Sequence, residues 1–219
     1  MFYRVFRAFV LSIFKVMFRV RVFGYENVPP KGVYIVAPSH RSILDIPFAA
    51  YITRRRIRFM AKQELFTTWI GRKFFNALAA IPVNRESTDR SALRAAQAAL
   101  KAGEPVGVFP EGTRNAGAVL GDMHDGAAYL ALKLGVPIVP VGIGGSEEIM
   151  APGKLLPRIK RVVVVIGAPI PPPDWSQGAR RRADISQLTQ ALRVQLQECF
   201  DDARAKVGSS APAEVRQSG

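Results

Sequence analysis

This 219-residue chain is short of cysteine, histidine and acid, and each shortage closes off a class of function. Its one cysteine, Cys199, excludes an internal disulfide and a cysteine-rich zinc site, and it fits a reducing compartment. Its two histidines, His40 and His124, do not pair at metal-ligand spacing. Asp122, His124 and Asp125 read as a polar loop leading into a helix, so no metal and no cofactor is expected. Seventeen acids stand against 31 Lys and Arg, a net charge of +14. That surplus says little about fold but points to anionic partners: nucleic acid, acidic lipid or phosphorylated substrates. There is no G-x-S-x-G, since Ser146 lies in GGSEE, and Gly142, Gly144 and Gly145 lack the last glycine of a dinucleotide fingerprint. No RNP, KH or helix-turn-helix pattern supports nucleic acid. What is present, 48% hydrophobic residues in one domain's length, is enough to bury a core without metal or disulfide staples.

Acid is missing altogether from the first 23 residues, which carry Arg4, Arg7, Lys15, Arg19 and Arg21. The longest uncharged run there, Ala8–Phe14, falls far short of the ~20 apolar residues of a spanning helix. Interrupting basic residues and the lack of a small-residue cleavage site argue against a signal peptide. On a helical wheel Arg4, Arg7, Ala8, Ser12, Lys15 and Arg19 share an arc of about 140°, leaving Phe6, Phe9, Phe14 and aliphatic residues on the remaining face. Residues 1–20 are therefore expected to form a basic amphipathic helix in the interface of an anionic membrane, arginines near lipid phosphates. The alternative is a helix packed on the domain's own core, which would ordinarily carry acids as well as bases on its wet face.

From Val20 onward, short Val- and Ile-rich runs alternate with helical patterns. Strands are predicted at Val20–Tyr25, Val33–Ala37, Ile57–Ala61, Ile81–Val83, Pro105–Phe109, Pro137–Ile143 and Arg161–Ile166. Helices are predicted at Ile43–Thr53, Thr68–Ala79, Thr88–Ala102, Gly126–Leu134 and Ile185–Ala205. This alternation argues for a single α/β domain over 21–206, a sandwich around a mostly parallel sheet of about seven strands. The small, polar tail over 207–219 is expected to be disordered.

Four segments stand out chemically. His40 follows a strand in PSHRSILD, at a strand end where α/β proteins commonly place sites, with Asp45 five residues on. On one continuous helix an i, i+5 pair diverges by about 140°. The two meet if His40 sits in a turn and Asp45 in the first helical turn, which Pro47 supports. The carboxylate would then hold one imidazole nitrogen and direct the other, as base, at a hydroxyl; the plainer reading is a capping Asp45 and a loop histidine. The second segment is FPEGTR. Gly112 permits a tight turn, Thr113 offers a hydroxyl and Arg114 a forked cation suited to phosphate oxygens, with Glu111 positioning that arginine or meeting a substrate hydroxyl. An ordinary turn with a local salt bridge is the alternative. Lys62 and Arg85, each at or just past a predicted strand, can reach the same sheet edge. Last comes VPIVP, Val136–Pro140, ahead of the glycines Gly142–Gly145.

In this order the four segments resemble the motifs of the lysophosphatidic acid acyltransferase group of glycerolipid acyltransferases. N-H-x-x-x-x-D corresponds to Ser39, His40 and Asp45, with Ser39 in place of the usual Asn; a lysine, a glycine and a distant arginine to Lys62, Gly71 and Arg85; E-G-T-R to Glu111–Arg114; and V-P-x-x-P to Val136–Pro140. The resemblance spans roughly Val20 to Ile170 and extends to bacterial, membrane-associated members. It implies transfer of a fatty acyl group from acyl-CoA or acyl carrier protein to the free hydroxyl of 1-acyl-glycerol-3-phosphate, giving phosphatidic acid. His40 would be the base and Asp45 its orienting partner; Arg85, Arg114 and Lys62 would hold the acceptor phosphate, supported by Glu111, Gly112 and Thr113. Phe6, Phe9, Phe14, Arg4, Arg7, Lys15 and Arg19 would meet an anionic membrane at its cytoplasmic face, peripherally or monotopically. Glycerol 3-phosphate or another lysophospholipid is the alternative acceptor. The alternative outside enzymes is a basic membrane- or RNA-surface-binding protein using Arg54–Arg56, Arg58 and Arg180–Arg182.

Overall fold

Val, Ile and Phe dominate the short runs that form strands, because branched and aromatic side chains pack well on a pleated surface covered on both sides. A computed structural model describes residues 2–77, 80–83, 90–149, 158–173 and 181–208. Its strands are β1 (Arg21–Phe23), β2 (Ile35–Pro38), β3 (Arg58–Lys62), β4 (Ile81–Val83), β5 (Val106–Gly107), β6 (Ile138–Gly144) and β7 (Val163–Ile166). They join in one sheet of order β1-β7-β6-β2-β5-β3-β4. Every neighbouring pair is parallel except β6 and β7. The helices are α1 (Phe2–Met17), α2 (Asp45–Ala49), α3 (Trp69–Ala77), α4 (Arg90–Lys101), α5 (Gly126–Leu134) and α6 (Arg181–Val207). The expected α/β architecture with its mostly parallel sheet is the one the chain adopts.

Successive residues of β2 feed opposite cores. Ile35 and Ala37 pack with Leu100 of α4, Leu130 of α5 and Leu196 of α6. Tyr34 and Val36 lie on the other side with Phe18, Phe48, Ile52 and Val141. This two-sided burial explains why β2, β6 and β7 read as unbroken apolar runs rather than alternating ones.

On the first side α6 lies directly against β6. A Cβ on Gly142 would stand 2.1 Å from the carbonyl oxygen of Cys199, and one on Gly144 2.6 Å from the backbone of Ala203 and Arg204. The glycine-rich end of β6 thus serves helix packing by close backbone approach.

One predicted helix changes shape. Ile43–Thr53 resolves into the short α2 followed by a 3₁₀ turn at Ala50–Ile52. The delay arises because residues 41–44 form a turn held by the Asp45 side chain, so helix starts only at Asp45. That late start leaves Pro47 in the first turn, where its missing N–H costs nothing. Residues 84–89, at the predicted start of α4, and 209–219 of the tail lie outside the described residues.

Candidate active site

β2, β5, β3 and β4 are neighbours in that order and run parallel, so their carboxyl ends share one edge of the sheet. Residues far apart in sequence converge there. His40 follows β2 by two residues, Glu111 follows β5, Lys62 ends β3, and β4 ends just before Arg85. Arg85 itself lies outside the described residues.

His40 is only 5% exposed, and its ring stacks on Phe109 with centroids 4.0 Å apart. Its Nδ1 lies 3.1 Å from Oδ2 of Asp45, which has no exposed surface. A carboxylate only accepts, so Nδ1 carries the proton toward Asp45 and Nε2 keeps the lone pair. The same Oδ2 accepts the backbone N–H of Arg41 at 2.6 Å and of Ser42 at 2.7 Å. Asp45 therefore both closes the turn and holds the imidazole; it does not cap α2, whose N-cap is Leu44 with no side-chain bond. Ser39, where the motif usually has Asn, places its hydroxyl to accept the N–H of Ile143 at 3.0 Å, pinning the end of β2 to β6.

Glu111 is only 2% exposed, and its described hydrogen bonds run to His40, Arg41, Asn115 and Gly121. Its Oε1 accepts the N–H of His40 at 2.9 Å. Its Oε2 pairs with Arg41 at 2.8 Å and accepts from Asn115 Nδ2 at 3.0 Å and Gly121 N at 2.8 Å. Glu111 is thus an internal anchor, both of its oxygens engaged by donors of the protein itself. Arg41 was invisible as a site residue in sequence; its one signal is its place beside His40. Gly112 has φ +66°, and a Cβ there would meet the His124 ring at 2.7 Å, so the turn requires glycine. Thr113 and Arg114 project from this turn and are exposed.

Lys62 is half exposed and pairs with Glu64 at 3.0 Å. Gly71, the motif glycine of α3, would push a Cβ to 2.2 Å from the carbonyl oxygen of Leu65, and its N–H bonds Thr68 Oγ1. It is a packing position.

Two of the expected membrane contacts are turned inward. Arg7 donates to the carbonyls of Ala50 and Thr53, and Phe14 packs its ring on Phe18 and Phe48. Tyr51 donates to the carbonyl of Leu11, and burial pushes its phenol pKa upward. The arc through Arg7, Leu11, Phe14 and Phe18 is therefore the one covered by α2 and the turn after it, Phe48 meeting the rings and residues 50–53 the hydrogen bonds. The opposite arc is exposed, with Phe9 at 64% and Val16 at 81%, beside Ile13, Lys15 and Arg19. The side chains of Arg4 and Phe6 lie outside the described residues. Among the described residues no helix is long and apolar enough to cross a membrane, and no group of His, Cys, Asp or Glu is arranged to hold a metal ion.

The basic run after α2 is occupied at the opposite, amino edge of the sheet. Arg55 donates to the carbonyls of Gly32 and Gly103, and Arg58 pairs with Glu104 at 3.3 Å. These arginines close loops rather than present a continuous patch. Arg180 lies outside the described residues.

The acyltransferase family model matches residues 19–144, more than half of the chain. Over 181 residues the chain is 32% identical to the 1-acyl-sn-glycerol-3-phosphate acyltransferase of Bacillus subtilis, covering 82% of this chain and 87% of that one. It is 31% identical over 190 residues to a probable 1-acyl-sn-glycerol-3-phosphate acyltransferase of Mycoplasma pneumoniae, covering 80% and 71% respectively. In three dimensions it is similar to the crystal structure of PlsC, the 1-acyl-sn-glycerophosphate acyltransferase of Thermotoga maritima, with a TM-score of 0.63 at 27% identity over 85% of this chain and 79% of that one.

Proposed function

The chain belongs to the acyltransferase family, and from that premise we propose that it acylates the free hydroxyl of 1-acyl-glycerol-3-phosphate, giving phosphatidic acid, with His40 as general base. The observation that carries this reading is the buried contact between His40 Nδ1 and Asp45 Oδ2, which leaves Nε2 as the basic nitrogen at the sheet edge. The names of the relatives support the acceptor.

The donor is an acyl thioester, on CoA or on acyl carrier protein. Nε2 of His40 takes the proton of the acceptor hydroxyl as its oxygen attacks the thioester carbonyl carbon. The tetrahedral intermediate collapses with cleavage of the carbon–sulfur bond. The thiolate leaves and receives the proton from the imidazolium, so His40 returns to its starting state and an ester replaces the thioester. Asp45 stabilises the transient imidazolium through Nδ1, and the Phe109 stack keeps the ring from rotating away. No acyl-enzyme is needed; Cys199 lies on α6, buried against Val163 and Val165 of β7, and burial pushes its thiol up to about 11. Arg114, Lys62 and Arg85 are assigned to the acceptor phosphate, Arg114 because its exposed fork follows directly on the Glu111–Gly112 turn beside His40. The exposed apolar face of α1, flanked by Lys15 and Arg19, is assigned to the interface of an anionic membrane on its cytoplasmic side, where the lysolipid acceptor resides.

The test is acyl transfer from palmitoyl-CoA, and in parallel from palmitoyl-acyl carrier protein, by the purified protein in mixed micelles. Lysophosphatidic acid and glycerol 3-phosphate serve as separate acceptors, with products resolved by mass spectrometry. Phosphatidic acid formed by the wild type and absent with His40→Ala is the expected result. Product from glycerol 3-phosphate alone would move the acceptor, and undiminished turnover by His40→Ala would remove His40 as the base.

A further inference from the structure

Arg41 follows His40 directly in the sequence, and its guanidinium has no exposed surface. One nitrogen pairs with the equally buried Glu111 at 2.8 Å and also donates to the carbonyl of His40 at 3.0 Å. The other terminal nitrogen donates to the carbonyl of Val119 at 3.1 Å, and the guanidinium carbon lies 4.7 Å from the centre of the Phe200 ring on α6. Glu111 completes the frame by accepting the N–H of His40. Both backbone polar groups of His40 thus meet this ion pair, the carbonyl also accepting the N–H of Asn115 at 3.1 Å, and the pair braces the loop from Glu111 to Gly121 that presents Arg114.

A buried pair of this kind is a weak device for stability, because desolvation of two charges offsets much of their attraction, and apolar replacement of both partners is often neutral. Apolar side chains cannot reproduce the fork, whose planar donors reach the His40 carbonyl and two acceptors on the Glu111–Gly121 loop in fixed directions. The loop has a second, independent strap: Gln197 of α6 accepts the N–H of Leu120 at 2.9 Å and donates to the carbonyl of Ala118 at 3.0 Å. Loss of Arg41 therefore leaves the loop in place and removes one of the two donors that orient the His40 carbonyl.

We propose that Arg41 is a positioning residue for acyl transfer: through its fork to Glu111, Val119 and the His40 carbonyl it sets the His40 imidazole against the loop that carries Arg114. The inference rests on the assignment of His40 as the base. Arg41 does not meet substrate, so its loss lowers kcat and spares the acceptor KM; misplacement of a catalytic group by about an ångström costs ~10²-fold in rate.

The test compares wild type, the double variant R41M/E111M and R41K in the micelle assay, together with thermal melts and NMR of the histidine side chains. Two histidines in the chain make the spectra simple, and His40→Ala identifies the His40 signals. R41M/E111M is expected to fold with a melting point lowered by several degrees, because the N–H groups of His40 and Gly121 lose their Glu111 acceptor, to lose ~10²-fold in kcat with little change in acceptor KM when assayed well below that melting point, and to show a broadened or split His40 Nδ1–H resonance. R41K keeps the charge and loses the fork, and is expected to lose at least about tenfold in kcat. A folded double variant or R41K with wild-type kcat and a wild-type His40 resonance overturns the proposal. If R41M/E111M does not fold, R41K decides by the same criteria. If the wild type transfers no acyl group, the proposed function fails while the His40 resonance in the folded variants still decides the positioning role.

Discussion

Replacing Asp45 by Asn keeps the shape of the most heavily used side chain of the site and removes its charge. Oδ2 accepts two backbone N–H groups at 2.6 and 2.7 Å as well as Nδ1 of His40. Hydrogen bonds to a charged acceptor contribute ~1.5–3 kcal/mol and neutral ones ~0.5–1.5, so the two backbone bonds weaken by about 1–3 kcal/mol together. Oδ1 is buried with no hydrogen-bond partner among the described residues. An amide oriented to save the backbone bonds puts its NH2 there, adding ~1–3 kcal/mol for an unsatisfied buried donor. For a chain of this size ~1 kcal/mol moves the melting point by about 2–4 °C, so D45N is expected to melt about 5–15 °C lower. The chemical loss is separate: without the carboxylate the imidazolium formed during proton transfer is unsupported, and kcat falls ~10²–10⁴-fold. Circular dichroism melts and micelle kinetics, both run well below the lowered melting point, separate the two effects. A folded D45N with kcat within about threefold of wild type would refute the role of Asp45 as the partner of the base, and an unchanged melting point would refute the hydrogen-bond reasoning.

Two further outcomes follow from burial and exposure alone. The Cys199 thiol, buried and pushed up to about 11, is expected to react with iodoacetamide at pH 7.5 about 100-fold more slowly in the folded chain than after denaturation, since the shift of two from 9.0 lowers the thiolate fraction by that factor. The sign of the linked stability follows: the folded state keeps the proton that the unfolded state releases, so this contribution is fully present below pH 9 and declines as pH rises to 11, as urea melts across that range would report. Fast labelling of the native protein would contradict the burial. On α1, Phe9→Asp with Val16→Asp replaces exposed side chains, so the melting point is expected to stay within a few degrees while sedimentation with anionic liposomes falls about tenfold. Unchanged liposome binding would remove this face from the membrane contact.

Residues whose neighbours lie close in sequence were legible without the structure. The central strands β2, β6 and β7 appear as unbroken apolar runs because a sheet buried on both faces demands apolar residues at every position, whereas β1, β3 and β4, toward its edges, are only partly buried. The His40–Asp45 contact was legible for a related reason: it is a local turn, and Pro47 marks where the helix begins. The short α2 was overestimated, since helical periodicity continues through Ala50–Ile52 and carries no mark of the tighter 3₁₀ turn.

Contacts made across the sheet were a different matter. Glu111 was read against Arg114, its neighbour in sequence, and instead turns inward to Arg41 and the backbone of His40, 71 residues away. The wheel of α1 sorted its residues by polarity, yet the turn after α2 covers the arc that includes Arg7, because the carbonyls of Ala50 and Thr53 can satisfy a guanidinium. Sequence by itself determined which residues are apolar and allowed His40 and Asp45 to meet in a turn ahead of Pro47, since each depends on local geometry and periodicity; the structure decided that they do. Strand order alone decided that β2, β5, β3 and β4 end side by side, and with it which charges are buried together, because a pairing partner is chosen by packing between distant segments and leaves no period in the chain.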